Sequence, residues 1–338
     1  MTRRLLWPAI GLLLLLALVA VPLWRHSRPA SSGQAMAKVS IGIQASPAMA
    51  LVMVAKDEGL FEREGVDVDI KQFSAGKFAL QAMMGGSVDF AVAGEVPVGL
   101  ATMQGNPLRV YTQVVRTTSN EVRMVARAPV GQDPKNFFSE RKRRLATSLG
   151  GGPEFFTWSY LRAIGVSAAQ VEIVGQKPED MPAALASGSV DAVAVFDPFA
   201  YIAERKAAGA AHAFPDIGAY SELYVLASRP AIGDSKAVEI AAMVRALGAA
   251  QRAIAQNPAR AKVIVQRYTG LDQATLDGIW KNFDFAPALT PKLLDYWGRQ
   301  FVWAKETGKI KPDAQQPNFG AILDRRPLAA LDGASKPR

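Results

Sequence analysis

The chain lacks cysteine altogether and has only two histidines, His26 and His212, among its 338 residues. Without thiols it cannot form a disulfide, a thiolate metal site, a catalytic thiol or the lipid-bearing cysteine of a bacterial lipoprotein. Two histidines, one of them beside the N-terminal apolar segment, make a histidine metal cage or a histidine-based triad nearly impossible. We therefore expect no metal and no cofactor.

Charge is also sparse, because charged residues make up 20% of the sequence while 49% is apolar. A chain of 338 residues with this apolar content is long enough to form two ordinary domains, each with its own core. Four arginines around the N-terminal apolar run supply part of the net charge of +9. The basic run at residues 141–144 precedes a strand-like segment and has no interleaved aromatic residues, so it is more typical of a solvated loop than of a nucleic-acid surface. We expect no nucleic-acid partner.

Residues 1–30 differ from the rest of the chain. Two arginines precede an almost unbroken apolar run over residues 5–24, and a second basic cluster follows it. Such a run can span a bilayer, and a basic start before an apolar stretch also describes a secretory signal. Ala35-Met36-Ala37 has the form of a cleavage site but lies farther from the run than usual. Signal peptide and membrane anchor both stay open, and either places the protein in the periplasm, free or held at the inner membrane by residues 5–24.

A short phrase occurs twice, as GSVDFAVA at residues 86–93 and as GSVDAVAV at residues 188–195. Each copy follows a small-residue helical pattern and runs into a strand that ends near an acid, Glu95 or Asp197. One helix–strand unit repeated once at domain-scale spacing predicts two similar α/β lobes facing each other across a cleft, and the period is too long for a solenoid. The alternative is two unrelated turns of the same form.

From residue 38 onward strands and helices alternate, which predicts mostly parallel sheets covered by helices. We assign the first lobe to residues 38–118 and 222–310, where 235–310 is helical by pattern, and the second lobe to residues 119–221. Residues 311–338 are rich in proline, glycine and charge, so we expect a loosely ordered tail. In parallel sheets ligands bind beyond the carboxyl ends of the strands. The first lobe should therefore present Gln44, Ser46, Gly76, Gly94 and Glu95 on one rim.

In the second lobe a glycine loop, Ser148-Leu149-Gly150-Gly151-Gly152-Pro153, lies between a strand-like and a helical segment. Free backbone N–H groups at the positive end of a helix can bind an anionic oxygen. The loop lacks the Lys-Ser/Thr pair of a P-loop and the third glycine of a dinucleotide fingerprint. The alternative is a tight turn that needs positive φ.

Glu95 and Asp197 occupy equivalent positions in the two copies of the phrase, so the repeat places both carboxylates at the cleft. They could act as a general acid or base, hold a cationic nitrogen, or serve only as helix caps or ion pairs. Phe155 and Phe199 lie nearby and could form a wall of the pocket or belong to the core.

Four segments of this sequence resemble one known family: IGIQ at residues 41–44, AKDEGLFEREGV at 55–66, GSVDF at 86–90, and 191–199. They are similar to the periplasmic substrate-binding proteins of ABC importers for nitrate, sulfonate, taurine and related compounds. The resemblance covers about residues 38–310 and implies a type II periplasmic binding protein: two α/β lobes with mixed, mostly parallel sheets, joined by two crossover strands.

We therefore expect a non-enzymatic, monomeric solute-binding component that works with the permease and ATPase subunits of an importer. Its ligand would be a small anionic or zwitterionic compound, such as a sulfonate or a taurine-like molecule. The alternatives are a membrane-tethered sensory module and an enzyme on a small periplasmic metabolite with Glu95 or Asp197 as base. The residues predicted to contact ligand are Gln44, Ser46, Gly76, Gly94, Glu95, Ser148, Gly150, Gly151, Gly152, Phe155, Asp197 and Phe199.

Overall fold

The computed structural model describes residues 36–333, and the predicted signal peptide or anchor at residues 1–30 lies outside them. Between residues 36 and 333, no helix has both the length and the apolar character needed to cross a bilayer.

Eleven strands lie within the described residues and form two sheets. The strands are β1 Ala37–Gln44, β2 Val66–Phe73, β3 Phe90–Gly94, β4 Arg109–Thr117, β5 Val122–Ala126, β6 Arg143–Thr147, β7 Val171–Gly175, β8 Ala192–Phe196, β9 His212–Ala213, β10 Leu223–Ser228 and β11 Phe283–Ala288. The six-stranded sheet has the order β11-β4-β10-β3-β1-β2, and the five-stranded sheet has the order β7-β6-β8-β5-β9. In each sheet three strands are parallel and a neighbouring strand, β10 or β5, is antiparallel to them.

Fourteen α-helices in the same range cover the sheets. They are α1 Ala50–Asp57, α2 Leu60–Arg63, α3 Gly76–Met84, α4 Glu95–Met103, α5 Pro134–Ser139, α6 Gly152–Ala163, α7 Met181–Ser187, α8 Phe199–Lys206, α9 Pro230–Ser235, α10 Ala237–Gln256, α11 Pro258–Thr269, α12 Gln273–Ile279, α13 Lys292–Glu306 and α14 Arg326–Gly333. Short 3-10 turns occur at Pro47–Met49, Ala168–Gln170, Pro178–Asp180, Trp280–Asn282 and Phe319–Ile322.

The repeated phrase has the same structure in both copies. Gly86 and Gly188 both adopt the left-handed conformation, with φ of 86° and 79°. The aspartate that follows each glycine binds the middle one of the three parallel strands in its sheet, β1 or β6: the backbone N–H of Ser40 donates to Asp89 Oδ2 at 2.9 Å, and that of Arg144 donates to Asp191 Oδ2 at 2.8 Å. Each phrase then enters a buried strand, β3 or β8, parallel to β1 or β6. The two sheets are therefore built on one plan, and the predicted two-lobe α/β fold is confirmed.

The chain crosses between the sheets twice, through residues 118–121 and again through residues 214–222. The ends of the two crossings are hydrogen-bonded neighbours, because the Thr117 N–H donates to the Glu222 carbonyl at 2.9 Å and the Glu222 N–H donates to Thr117 Oγ1 at 2.8 Å. The crossings therefore lie side by side, while the exact lobe boundaries stay a prediction.

The C-terminal third differs from the expectation in two places. Residues 283–288, predicted to be helical, form β11, a strand at the edge of the six-stranded sheet with Pro287 inside it, where edge position tolerates the missing N–H. Residues 311–333, predicted to be loosely ordered, contain a 3-10 turn and α14, with Phe319 buried against Trp297 at 5.3 Å between ring centroids. Residues 334–338 lie outside the described part.

Helix α13 joins the cores of the two sheets. Trp297 and Trp303 are fully buried, and Trp303 contacts Phe155 of α6 at 5.4 Å between centroids. Because α6 follows β6 and α13 packs on α4 of the other half, this aromatic contact holds the carboxyl ends of the two sheets close together.

Candidate functional site

A small cavity lies between the carboxyl ends of the two sheets. It encloses about 20 Å³, room for about one water molecule. Its lining comes from both halves of the protein: Gln44, Ala75, Gly76, Lys77, Gly94, Pro97, Ser148, Gly151, Gly152, Pro153, Phe196, Glu222 and Tyr224. A molecule of several heavy atoms would need the halves to separate before it could enter.

Six of the twelve predicted ligand contacts line this cavity: Gln44, Gly76, Gly94, Ser148, Gly151 and Gly152. The other six lie outside the lining: Ser46, Glu95, Gly150, Phe155, Asp197 and Phe199. Ligand contact by any of the twelve stays a prediction.

Gln44, at the end of β1, organises the six-stranded half of the cavity. Its Oε1 accepts from the Gly76 N–H at 3.0 Å, and its Nε2 donates to Ser46 Oγ at 2.9 Å and to the Tyr224 hydroxyl at 3.2 Å. Ser46 Oγ also accepts from the Ala48 N–H at 3.2 Å, which caps the 3-10 turn at Pro47–Met49. Ser46 thus acts on the cavity through Gln44.

Glu95 is fully buried at the start of α4, and its carboxylate accepts three hydrogen bonds. The donors are the Tyr220 hydroxyl at 2.6 Å, the Leu223 N–H at 2.8 Å and Gln300 Nε2 at 2.8 Å. Burial raises the pKa of Glu95 to about 7, against the opposing effect of these donors. The side chain therefore ties α4 to β10 and α13.

Asp197 has a comparable structural environment in the other half. It accepts from Arg123 Nη2 at 2.5 Å, from Asn282 Nδ2 at 2.8 Å and from the Tyr201 N–H at 3.2 Å. Burial raises the pKa of Asp197 to about 6, although the Arg123 charge opposes the rise. Asn282 belongs to the six-stranded half, so this carboxylate links the two halves behind the cavity.

The glycine loop brings the start of α6 to the cavity. Gly150 adopts φ of 76°, and its N–H donates to Glu154 Oε2 at 2.6 Å. Gly151 and Gly152, which precede and begin α6, line the cavity. From the opposite half, Lys77 Nζ donates to the Leu149 carbonyl at 2.8 Å. This hydrogen bond joins the two rims of the cavity.

The aromatic residues divide between cavity and core. Phe196 lines the cavity, and Phe199 packs on it at 5.8 Å between centroids. Phe155 points away from the cavity toward Tyr220 and Trp303, at 5.5 and 5.4 Å.

Glu222 is the most consequential residue that the sequence interpretation missed. Its carboxylate lines the cavity, and Oε2 accepts from the Tyr224 hydroxyl at 3.1 Å. It lies between two glycines: a β-carbon at Gly94 would be 3.2 Å from the Glu222 carboxyl carbon, and one at Gly152 only 2.8 Å. Burial and the neighbouring Glu95 charge raise the pKa of Glu222 well above its usual value.

Glu121, at the end of the first crossing, is a second missed acid. Both carboxylate oxygens are buried and have no hydrogen-bond partner among the described residues. Burial, followed by the charges of Glu222 and Asp197, raises the pKa of Glu121 well above its usual range. Both acids stand at the predicted lobe boundaries, and that position is the one feature of the sequence that could have marked them as site residues.

A sequence model of the NMT1-like family matches residues 32–269, more than half of the chain. The chain belongs to the NMT1-like family. Among curated relatives, the taurine-binding periplasmic protein of Escherichia coli (strain K12) is 26% identical over 146 residues, which are 43% of this chain and 44% of that protein. The match thus spans less than half of that relative, and the predicted family resemblance is confirmed.

Solved structures show how widely this NMT1-like fold is shared. The alkanesulfonate-binding protein SsuA from Xanthomonas axonopodis pv. citri, bound to MOPS, superposes with a TM-score of 0.71 at 19% identity over 86% of this chain and 98% of that one. The desulfurization enzyme DSZB superposes with a TM-score of 0.64 at 14% identity over 88% and 99%. Because one is a binding protein and the other an enzyme, the fold alone does not decide the activity.

Proposed function

We propose that this protein is the solute-binding component of an ABC importer and holds a small polar molecule between its two sheets. The observation that carries the proposal is the cavity itself, which both halves line at the carboxyl ends of their parallel strands. That position is where open α/β sheets bind ligands. The taurine-binding and alkanesulfonate-binding relatives support the same class of activity.

The cavity suits a binding protein that opens and closes. As it stands it has room for about one water molecule, while the Lys77 to Leu149 hydrogen bond joins its rims. A solute must enter when the halves are apart and then favour the closed arrangement by touching both of them.

The ligand is proposed to be a small anion or zwitterion of the sulfonate or taurine type. Lys77 supplies a positive charge at the rim, and Gly151 and Gly152 place the N-terminus of α6 at the cavity, where a helix favours negative charge. Ser148 adds a hydroxyl beside them.

Binding without turnover is the activity we propose. The two acids considered as bases, Glu95 and Asp197, lie outside the lining, and each already accepts hydrogen bonds from structural donors. We further propose a periplasmic monomer with lobes at residues 38–118 with 222–310 and at 119–221, delivering its solute to a permease and ATPase pair.

Native mass spectrometry of the protein from its own cells tests this function. We expect one small molecule per chain, which is released on unfolding and raises the melting temperature when added back. Cells without the gene should then take up that molecule more slowly. The proposal fails if no molecule is retained and taurine, ethanesulfonate and nitrate all leave the melting temperature unchanged.

A further inference from the structure

Two buried acids come from the two chain crossings, and one of them, Glu222, lines the cavity. Glu121 ends the first crossing and Glu222 ends the second, and both side chains are buried. The hydrogen bonds between Thr117 and Glu222 join the start of the first crossing to the end of the second, and the charge of Glu222 acts on Glu121 across the short first crossing. We call Glu121 and Glu222 the acid pair.

Glu222 presents its carboxylate to the cavity with one hydrogen-bond donor on it. Tyr224 donates to Oε2, and the hydrogen bonds of the described residues include none to Oε1. Gly94 on one side and Gly152 on the other have no side chain, so the Glu222 carboxylate packs directly against the backbone of both. A group bound in the cavity would therefore meet Glu222 directly.

Glu121 is less well satisfied still. A buried carboxylate ordinarily has several hydrogen bonds or an ion pair, because an isolated buried charge is costly. Both Glu121 oxygens lack any partner in the part of the chain that the structure describes. Glu222 is the carboxylate whose charge acts on Glu121 most strongly.

Neither acid is hydrogen-bonded to a basic side chain within the described residues. Arg123 is the cation whose charge acts on Glu121, but its Nη2 is bonded to Asp197 at 2.5 Å and its buried Nε has no hydrogen-bond partner among those residues. Lys77, at the rim, donates to the Leu149 carbonyl. Glu222 therefore faces the cavity without an ion-pair partner among the described residues.

We propose, on the basis of the proposed function, that the solute carries a basic nitrogen that contacts Glu222 and whose positive charge also acts on the nearby Glu121. The solute is then a zwitterion and not a plain anion: its ammonium or amidinium-type group lies against Glu222, and its anionic group lies toward Lys77 and the start of α6. This assigns the cation to Glu222 and Glu121, in place of Glu95 and Asp197. An organic cation fits better than a metal ion, because no three acid or histidine side chains within residues 36–333 converge as metal ligands.

Matched sulfonates test the charge preference by titration calorimetry on the full chain. Taurine and isethionate differ only by an ammonium in place of a hydroxyl, and 3-aminopropanesulfonate and propanesulfonate differ by the ammonium group. We expect each amine to bind at least about tenfold more tightly than its partner, because a hydrogen bond between charged groups contributes roughly the free energy that a tenfold change in affinity needs.

Variants connect that preference to the acid pair. Glu222→Gln and Glu121→Gln should each remove most of the amine preference without weakening isethionate. Glu239→Gln, in the first turn of α10, removes an acid outside the cavity lining and should preserve the preference. Melting curves establish whether each variant is folded. If a variant does not fold, the test rests on the wild-type affinities for the two matched pairs of sulfonates.

The outcomes separate this inference from the proposed function. If isethionate and propanesulfonate bind as tightly as the amines, or if the molecule retained from cells has no basic nitrogen, the inference is overturned while the binding function stands. A retained molecule with a basic nitrogen supports it even if the four sulfonates do not bind. Absence of any retained molecule and of any binding overturns both.

Discussion

The carboxyl carbon of Glu222 lies 2.8 Å from the point that a β-carbon on Gly152 would occupy. Gly152 begins α6 beside the five-stranded sheet, whereas Glu222 stands at the start of β10 in the six-stranded sheet. A carboxylate of one half thus fills the space that a side chain of the other half would need. The close fit of the halves depends on glycine at this position.

Gly152→Ala should therefore prevent full closure. Glu222 is buried and bonded to Tyr224, so it cannot move aside without losing that bond. We expect solute affinity to fall about tenfold or more and the unfolding free energy to fall by about 1–3 kcal/mol from overpacking. Calorimetry with the retained molecule measures the first effect and denaturant melts the second.

Gly298→Ala is the matched control for that substitution. A β-carbon at Gly298 meets nothing within 4 Å, and the residue lies inside α13. Alanine there should add up to about 1 kcal/mol of stability through helix propensity and leave affinity unchanged. Equal affinities of both variants and the wild type would contradict the closure role of Gly152.

Lys77→Met should shift the protein toward an open arrangement. Methionine keeps the length of the side chain but removes the hydrogen bond from Nζ to the Leu149 carbonyl that joins the rims. We expect affinity to fall about tenfold and the radius of gyration without solute, measured by X-ray scattering, to rise. Lys71→Met, an exposed substitution on β2 with the same loss of charge, should change neither. Identical scattering and affinity in the two variants would show that the Lys77 hydrogen bond does not hold the rims together.

Stability should fall as the pH rises from about 5 to 8. Burial raises the folded-state pKa of Glu95 to about 7 and that of Asp197 to about 6, above the unfolded values of about 4.3 and 3.9. A group with a raised pKa contributes its full stability below the unfolded value and loses it as the pH passes the folded value. The acid pair acts in the same direction, since its pKa values are raised as well.

Melting temperatures across that pH range, for the wild type and for Glu95→Gln, check this linkage. The amide cannot titrate, so the variant should show a shallower decline. At pH 5 the variant should melt at a lower temperature than the wild type, because the glutamine NH2 group would face one of the donors that now bind Glu95. A wild-type melting temperature that rises over this interval would contradict the assignment.

Asp89→Ala and Asp191→Ala should destabilise the protein by similar amounts. Each removes the acceptor for a backbone N–H on the middle parallel strand of its sheet, at Ser40 on β1 or Arg144 on β6. We expect each to lower the unfolding free energy by about 1–3 kcal/mol. Asp69→Ala, exposed on β2, should stay within about 0.5 kcal/mol of the wild type. Urea melts measure all three, and a neutral Asp89→Ala would disprove the equivalence of the two copies.

Local sequence patterns predicted the fold well up to β10. Alternation of strands and helices, and the repeated phrase, are properties of neighbouring residues, so the phrase indicates the positions of β3 and β8 to within a few residues. The short segment at 283–288, by contrast, is a strand because β4 offers it an edge, and β4 lies more than 160 residues away in sequence. Pattern alone could not show that partner.

The site was predictable in position but not in side-chain orientation. Gly94 and Gly152 reach the cavity because strand ends and helix starts fix their backbone. Glu95 has the equivalent position that the repeat predicted, yet its carboxylate faces Gln300 of α13, which has no counterpart in the repeat. Glu121 and Glu222 lie near enough for their charges to interact because two crossings that are distant in sequence are adjacent in the fold. No local sequence pattern contains that relationship.

The two adjacent crossings also act as a single short axis. In the opening that we propose, a rotation of one half about that axis moves each atom in proportion to its distance from the axis, so Lys77 and Leu149 at the rim separate farther than the residues of the crossings. Contacts between the halves, at the rim and between Glu222 and Gly152, exist only in the closed arrangement and therefore favour it. Lys77, proposed both to join the rims and to face the anionic group, would make selection of the solute depend on its enclosure.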